Sequence, residues 1–161
     1  MALVRSIRWL AVVWVVALAG CASSPKQAPP PSAEAMKSGA DVAVFAMALM
    51  DTPYRYGAQN PSEGFDCSGL IVHTYRSVLG LALPRTVAQM QAWGKAVEPQ
   101  ARIPGDLILF APGPGHRAPT HGGIYVGQNR FVHAPSTGGR VRLDSLKAPH
   151  WERQQLIVRR P

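Results

Sequence analysis

The chain changes texture once, and that change limits the fold it can adopt. Up to Trp93 its apolar segments are long enough for helices; from Asp106 onward they are short, β-rich runs separated by Gly, Pro and Asn. Gly39 to Met50, GADVAVFAMALM, has Asp41 as its one polar residue and is rich in helix formers. A largely buried helix ended by Asp51-Thr52-Pro53 is expected there. Tyr54 to Gly64 reads as a loop. Asp66 to Leu79, DCSGLIVHTYRSVL, suits a second helix with Asp66 as N-cap, Gly80 as its stop and an apolar stripe at Leu70, Ile71, Tyr75 and Val78. Pro84 to Trp93 fits a third, shorter helix. The β-rich runs are Asp106 to Phe110, Gly122 to Val126, Arg130 to His133, Arg140 to Leu143 and Gln155 to Val158, spaced as in an antiparallel meander. Helices first and strands afterwards imply an α+β fold, with N-terminal helices packed on an antiparallel sheet of about five or six strands.

A length of 161 residues allows one domain of ordinary size, and no internal repeat or second domain is visible. The 47% apolar content is enough for a packed core. Formal net charge is +8, from 17 basic and 9 acidic residues, which suits either an anionic surface or polymer as neighbour or simply a soluble basic protein. Nucleic acid is not expected as a partner, because there is no run of Lys and Arg and no binding motif.

Residues 1–20 read as an export signal: Arg5 and Arg8 form a positive start, and Trp9 to Leu18 an apolar stretch too short to span a bilayer comfortably. Leu18-Ala19-Gly20-Cys21 resembles the lipobox of bacterial lipoproteins, which implies Cys21 as a lipidated N-terminus and stable anchoring in a membrane. Ala22, in place of Asp, favours the outer membrane facing the periplasm if the host is Gram-negative. Residues 21–37 then form a tether rich in Ala, Ser and Pro, with Pro29 to Pro31 favouring an extended spacer. The domain is expected over residues 38–161. Cys21 and Cys67 are the two cysteines, and lipidation of the first argues against a disulfide between them.

Cys67 begins its helix one residue past the Asp66 cap. There the helix dipole and free amide hydrogens favour a thiolate, although a buried inert cysteine fits the position alone equally well. Gly69, two residues on, is expected to let a substrate backbone approach closely. His121 opens the run HGGIYVG and His133 closes the run RFVH, with the turn Gly127-Gln128-Asn129 between them. Pairing of those strands would bring the imidazoles together at one sheet end. One histidine can then take a proton from a thiol while the other orients it. A zinc site is the rival use of two histidines, but with one thiol and no carboxylate pattern the donor set is unconvincing. His73 and His150 are read as structural, His116 as an exposed loop residue, and Trp93 and Trp151 as core or rim.

Six segments carry a resemblance: Tyr54-Arg-Tyr-Gly57, Phe65-Asp-Cys-Ser-Gly-Leu70, Leu83-Pro-Arg-Thr86, Pro104-Gly-Asp-Leu107, His121-Gly-Gly-Ile-Tyr-Val-Gly127 and Phe131-Val-His-Ala134. In that order they resemble the successive motifs of the NlpC family, papain-like cysteine peptidases that cut bacterial cell-wall peptides. The resemblance implies a papain-like fold, Cys67 as nucleophile, His121 as base and His133 as the orienting third residue. It also implies Tyr56 at the oxyanion site, with Asp66 and Ser68 helping to hold the substrate peptide. Three departures stand out: Ala58 where a second glycine is usual, Gly122 where valine is commoner, and a longer segment over residues 111–120.

The function implied is hydrolysis of peptidoglycan stem or cross-link peptides, commonly at the bond from D-glutamate to diaminopimelate, by a monomer with no metal and no organic cofactor. Two other classes remain open: a papain-like acyltransferase or amidase, and a non-catalytic wall-binding lipoprotein.

Overall fold

The computed structural model describes residues 32–113, 118–136 and 139–161. The leader, Cys21 and most of the tether lie outside the described residues, as does His116. Helix α1 runs Ala33–Ala48 and begins earlier than the apolar pattern predicts. Ser32 caps it by accepting the Ala35 amide at 3.2 Å, and Glu34 sits in the first turn, where a carboxylate complements the helix dipole. The tether composition therefore concealed a helix start. Asp51, at φ 67°, turns the chain away beyond the helix end.

The expected loop holds a small hairpin, β1 (Gln59–Asn60) with β2 (Gly64–Phe65). Helix α2, Cys67–Leu79, follows the sequence reading closely. Asp66 Oδ1 accepts the Gly69 amide at 2.6 Å, and Gly80, in the left-handed conformation, closes the helix onto the Arg76 carbonyl. Helix α3, Val87–Met90, is a single turn capped by Thr86.

Six strands form one antiparallel sheet: β3 (Lys95–Val97), β4 (Leu107–Ala111), β5 (His121–Gly127), β6 (Arg130–His133), β7 (Arg142–Ser145) and β8 (Gln155–Arg160). Their order is β3-β8-β4-β5-β6-β7. The expected meander holds for β4 to β7. Strand β8 departs from it, returning past the short helix α4 (Pro149–Glu152) to lie between β3 and β4.

Central placement explains why Leu107-Ile-Leu-Phe-Ala111 is buried at every position. Leu107 and Leu109 face the helices, with Leu70, Ile71, Tyr75, Ile124 and Val132; Ile108 and Phe110 face the other side, with Tyr125, Phe131, Val158 and Trp151. Each such large side chain contributes about 1.5–3 kcal/mol by leaving water. The β5–β6 turn is tight because Gln128 and Asn129 both adopt positive φ, as a two-residue hairpin requires.

Candidate active site

Cys67 is the first residue of α2 and half-buried. What brings strand β5 to it is a close approach of helix and sheet. A Cβ built on Gly122 would lie 3.1 Å from Ile71 Cδ1 of α2 and 2.9 Å from Leu109 Cδ2. The backbone amides of Ser68, Cys67 itself and Gly122 each favour the Cys67 thiolate, so Gly122 of β5 lies near the sulfur. His121, one residue before Gly122, thus begins its strand near Cys67.

His121 Nε2 lies 2.8 Å from His133 Nδ1, so the β5–β6 hairpin joins the two imidazoles as the sequence predicts. Gly123 makes this possible, since a Cβ there would sit 2.6 Å from the Val132 carbonyl oxygen and 3.1 Å from His133 Cβ. No hydrogen bond joins Cys67 to His121 among the described residues; with Nε2 engaged, Nδ1 is the nitrogen left for the thiol. The His121 ring packs against both Phe110 and Trp151, which also touch each other, with the Trp151 centroid 5.3 Å away at an interplanar angle of 25°.

Three further side chains, Asp144, Trp151 and Arg142, complete the chain, and sequence reasoning missed the part each plays. His133, fully buried, places Nε2 3.0 Å from Asp144 Oδ2. Trp151 Nε1 donates to the same oxygen at 3.3 Å, and Arg142 clasps the carboxylate through Nε and Nη2 at 3.0 and 3.1 Å. Asp144 was illegible because it sits 11 residues past His133, beyond a loop whose length hides the register. Only the β6–β7 pairing, His133 opposite Arg142, sets it beside the imidazole.

The electrostatics run against one expectation. Burial, then the Asp66 carboxylate next door, push the Cys67 thiol above its ordinary pKa, and the three amides only partly offset this. Burial also pushes His121 down to about 3 and His133 down to about 4. The resting pair is therefore a neutral thiol and a neutral imidazole, not the thiolate that the helix start alone suggests.

The remaining expected residues are placed differently from their predicted roles. Tyr56 is 86% exposed. Tyr54 is the tyrosine beside Cys67: it packs on the same core cluster, and its hydroxyl pKa is raised by burial and by the nearby Cys67 and Asp66. The two tyrosines stand two residues apart in one motif, which alone does not separate them.

Asp66 and Ser68 are each 7% exposed, and their polar atoms are engaged within the protein. Asp66 accepts from Gly57 N–H, Gly69 N–H, Ser68 Oγ and both terminal nitrogens of Arg85, while Arg85 Nη1 also reaches Ser68 Oγ at 2.6 Å. This cluster braces α2 against the Gly57 loop. Gly69 likewise admits the protein's own Ala58 carbonyl, 2.1 Å from where a Cβ would be, and not a substrate backbone. Among the described residues no group of three or more His, Cys, Asp or Glu side chains could hold a metal ion. A cleft of about 520 Å³ opens on the histidine side, lined by Thr120, His121, Arg142, His150 and Trp151.

Comparison with known proteins places this site in a family. The NlpC/P60 family pattern matches residues 51–160. The probable endopeptidase NlpC of Escherichia coli is 36% identical over 154 residues, covering 94% of this chain and 97% of the relative. The gamma-DL-glutamyl hydrolase of Bacillus subtilis is 38% identical over 123 residues, covering 75% of this chain, which spans only 29% of that relative's length. A crystal structure of an NlpC/P60 family protein from Bacillus cereus superposes with a TM-score of 0.70 at 28% identity, over 82% of this chain and 41% of that one. With a papain-like packing of helices on an antiparallel sheet and Cys67, His121 and His133 standing in the motifs, the chain belongs to the NlpC/P60 family.

Proposed function

We propose that this protein is a cysteine endopeptidase that hydrolyses peptide bonds in the stem or cross-link peptides of peptidoglycan. The observation that supports it most is the junction of α2 and β5. Cys67 stands at the helix start with Gly122 near enough to favour its thiolate, and His121, the residue before Gly122, is hydrogen-bonded at 2.8 Å to a second histidine.

In this reading His121 Nδ1 takes the thiol proton as the sulfur attacks the peptide carbonyl carbon, because the resting thiol is protonated. The Tyr54 hydroxyl and backbone amides at the helix start stabilise the oxyanion, with Tyr54 taking the role first expected of Tyr56. The imidazolium returns its proton to the departing amine, and water, deprotonated by the same imidazole, hydrolyses the thioester.

The bond favoured is that from the D-glutamate side chain to diaminopimelate, in keeping with the name of the Bacillus relative. Acidic wall peptides also suit the net charge of +8. Lipidation of Cys21, with anchoring in the outer membrane of a Gram-negative host, belongs to the same reading. It would hold the domain against its polymeric substrate; membrane partitioning that survives Cys21→Ala would contradict it.

Mass spectrometry of purified muropeptides incubated with the protein tests the function. Fragments ending at D-glutamate or at the cross-link are expected. Release of a sugar with a free lactyl group would instead mark an amidase, transfer of an acyl group without peptide cleavage an acyltransferase, and unchanged muropeptides a binding protein.

A further inference from the structure

We infer that Asp144 is a positioning residue that fixes which nitrogen of each histidine carries the proton, and so keeps the Nδ1 lone pair of His121 free for the Cys67 thiol. The inference rests on the peptidase reading above, and it follows from counting donors and acceptors along one chain of contacts.

Asp144 Oδ2 is approached by three nitrogens: Arg142 Nη2 at 3.1 Å, Trp151 Nε1 at 3.3 Å and His133 Nε2 at 3.0 Å; Oδ1 receives Arg142 Nε at 3.0 Å. Guanidinium and indole nitrogens only donate, and an ionised carboxylate only accepts. Burial works against ionisation of Asp144, but the Arg142 hydrogen bonds and the neighbouring His133 outweigh it and hold the carboxyl below its ordinary pKa. His133 Nε2 must therefore bear a hydrogen.

Neutral His133 then offers a bare Nδ1 to His121, 2.8 Å away. His121 Nε2 must in turn bear the hydrogen of that bond, and neutral His121 is left with a bare Nδ1. Each tautomer is dictated by the one behind it, and the sequence of constraints ends at a carboxylate that cannot donate. Reversing it would set a bare His133 Nε2 against the acceptor-only Asp144 carboxylate and put the His121 proton on the nitrogen that must receive the thiol proton.

Trp151 serves both ends of this chain. Its indole N–H anchors Asp144, while its ring lies nearly parallel to His121 and edge-on to His133 at 87°. The charged and titratable groups facing Asp144 and the histidines are Arg142 on β7 and His150 on α4, both of which disfavour added positive charge on the imidazoles. During turnover one proton leaves Cys67 Sγ for His121 Nδ1 and passes to the leaving amine, while Asp144 remains ionised throughout.

The experiment combines nitrogen NMR of histidine-labelled protein with single-turnover cleavage of a defined stem peptide by wild type, Asp144→Asn and Asp144→Ala. In the wild type both His121 and His133 should carry their proton on Nε2. Asp144→Ala removes the acceptor and should lower kcat about 100-fold with KM nearly unchanged. It should also shift part of the His121 population to the Nδ1–H form.

Asp144→Asn can present its amide oxygen at the Oδ2 position, where three donors meet. It should retain the Nε2–H pattern and stay within about 10-fold of wild type. A proton on Nδ1 of His121 in the wild type would overturn the inference, as would full kcat in a folded Asp144→Ala. The tautomer measurement needs no substrate, so a wild type that cleaves no stem peptide would defeat the peptidase reading and leave this inference still decided by the nitrogen shifts.

Discussion

Gly122 and Gly123 are adjacent in β5 but face opposite sides of the sheet, so the same Gly→Ala change should have different consequences at each. At Gly123 a Cβ would lie 2.6 Å from the Val132 carbonyl oxygen, about 0.7 Å short of the ~3.3 Å at which carbon and oxygen normally touch. Phe131 Cδ2 at 2.9 Å and His133 Cβ at 3.1 Å close the other directions. A backbone carbonyl in a ladder cannot swing aside, so β5 and β6 must separate, carrying His121 from His133. Their 2.8 Å bond would then exceed the ~3.2 Å limit of a useful hydrogen bond.

Overpacking of this kind costs about 1–3 kcal/mol, against about 0.4–1 kcal/mol returned by the stiffer unfolded chain. Gly123→Ala should therefore lower Tm by about 2–8 °C. It should lower kcat by about 100-fold, because a misplaced base is worse than a slightly loosened sheet. At Gly122 the two nearest atoms are the far ends of the Leu109 and Ile71 side chains, and the nearest backbone atom, the Ile108 carbonyl oxygen, is 3.2 Å away and needs only a small shift, so Gly122→Ala should keep most of its activity. Thermal melts and single-turnover cleavage on both variants read the contrast; wild-type kcat in Gly123→Ala, or equal losses in the two, would refute the reasoning.

Asp106 is 1% exposed, clasped by Arg160 at 2.7 and 2.8 Å and by the Ile103 amide at 2.8 Å, far from the chemistry. Asp106→Ala should cost about 3–5 kcal/mol by leaving Arg160 unpaired, while kcat measured well below Tm stays near wild type. Stability should also fall as pH drops from neutrality. The folded pKa values of His121 and His133 lie below the ordinary 6.5, so the unfolded chain binds more protons as the solution is acidified, and Asp66 and Asp144 act in the same sense at lower pH. A Tm that rose on acidification from pH 7 to 4 would contradict this sign. Alkylation of Cys67 by iodoacetamide should be slow at pH 7 and rise above the ordinary thiol pKa, because burial and Asp66 raise the thiol; a rate already at its plateau at pH 6 would indicate a preformed thiolate.

Local signals made half of this fold legible. Helix α2 could be read because its cap, its apolar stripe and its terminating glycine are all local, and β4, β5, β6 and β8 because β-rich runs and turn residues are local too. The insertion of β8 between β3 and β4 was not legible: strand order is set by which faces can be buried together, and β3, Lys95-Ala96-Val97, has too little pattern to announce itself. The same division holds at the site. Cys67, His121 and His133 stand at element ends that motifs reveal, whereas Asp144 and Trp151 reach the histidines only through strand register and the placement of α4. The polarity of the thiol misled for a similar reason. A helix start is visible in sequence, but the burial of Cys67 and its nearness to the Asp66 carboxylate in space are properties of the packed structure.

The account stands most directly on Cys67 as the nucleophile. Acid quenching of the protein during turnover of a defined stem peptide, followed by mass spectrometry of its fragments, should find the acyl half of that peptide on the fragment containing Cys67, and Cys67→Ala should neither carry the adduct nor cleave the peptide. Cleavage by Cys67→Ala at a rate near that of the wild type would contradict it.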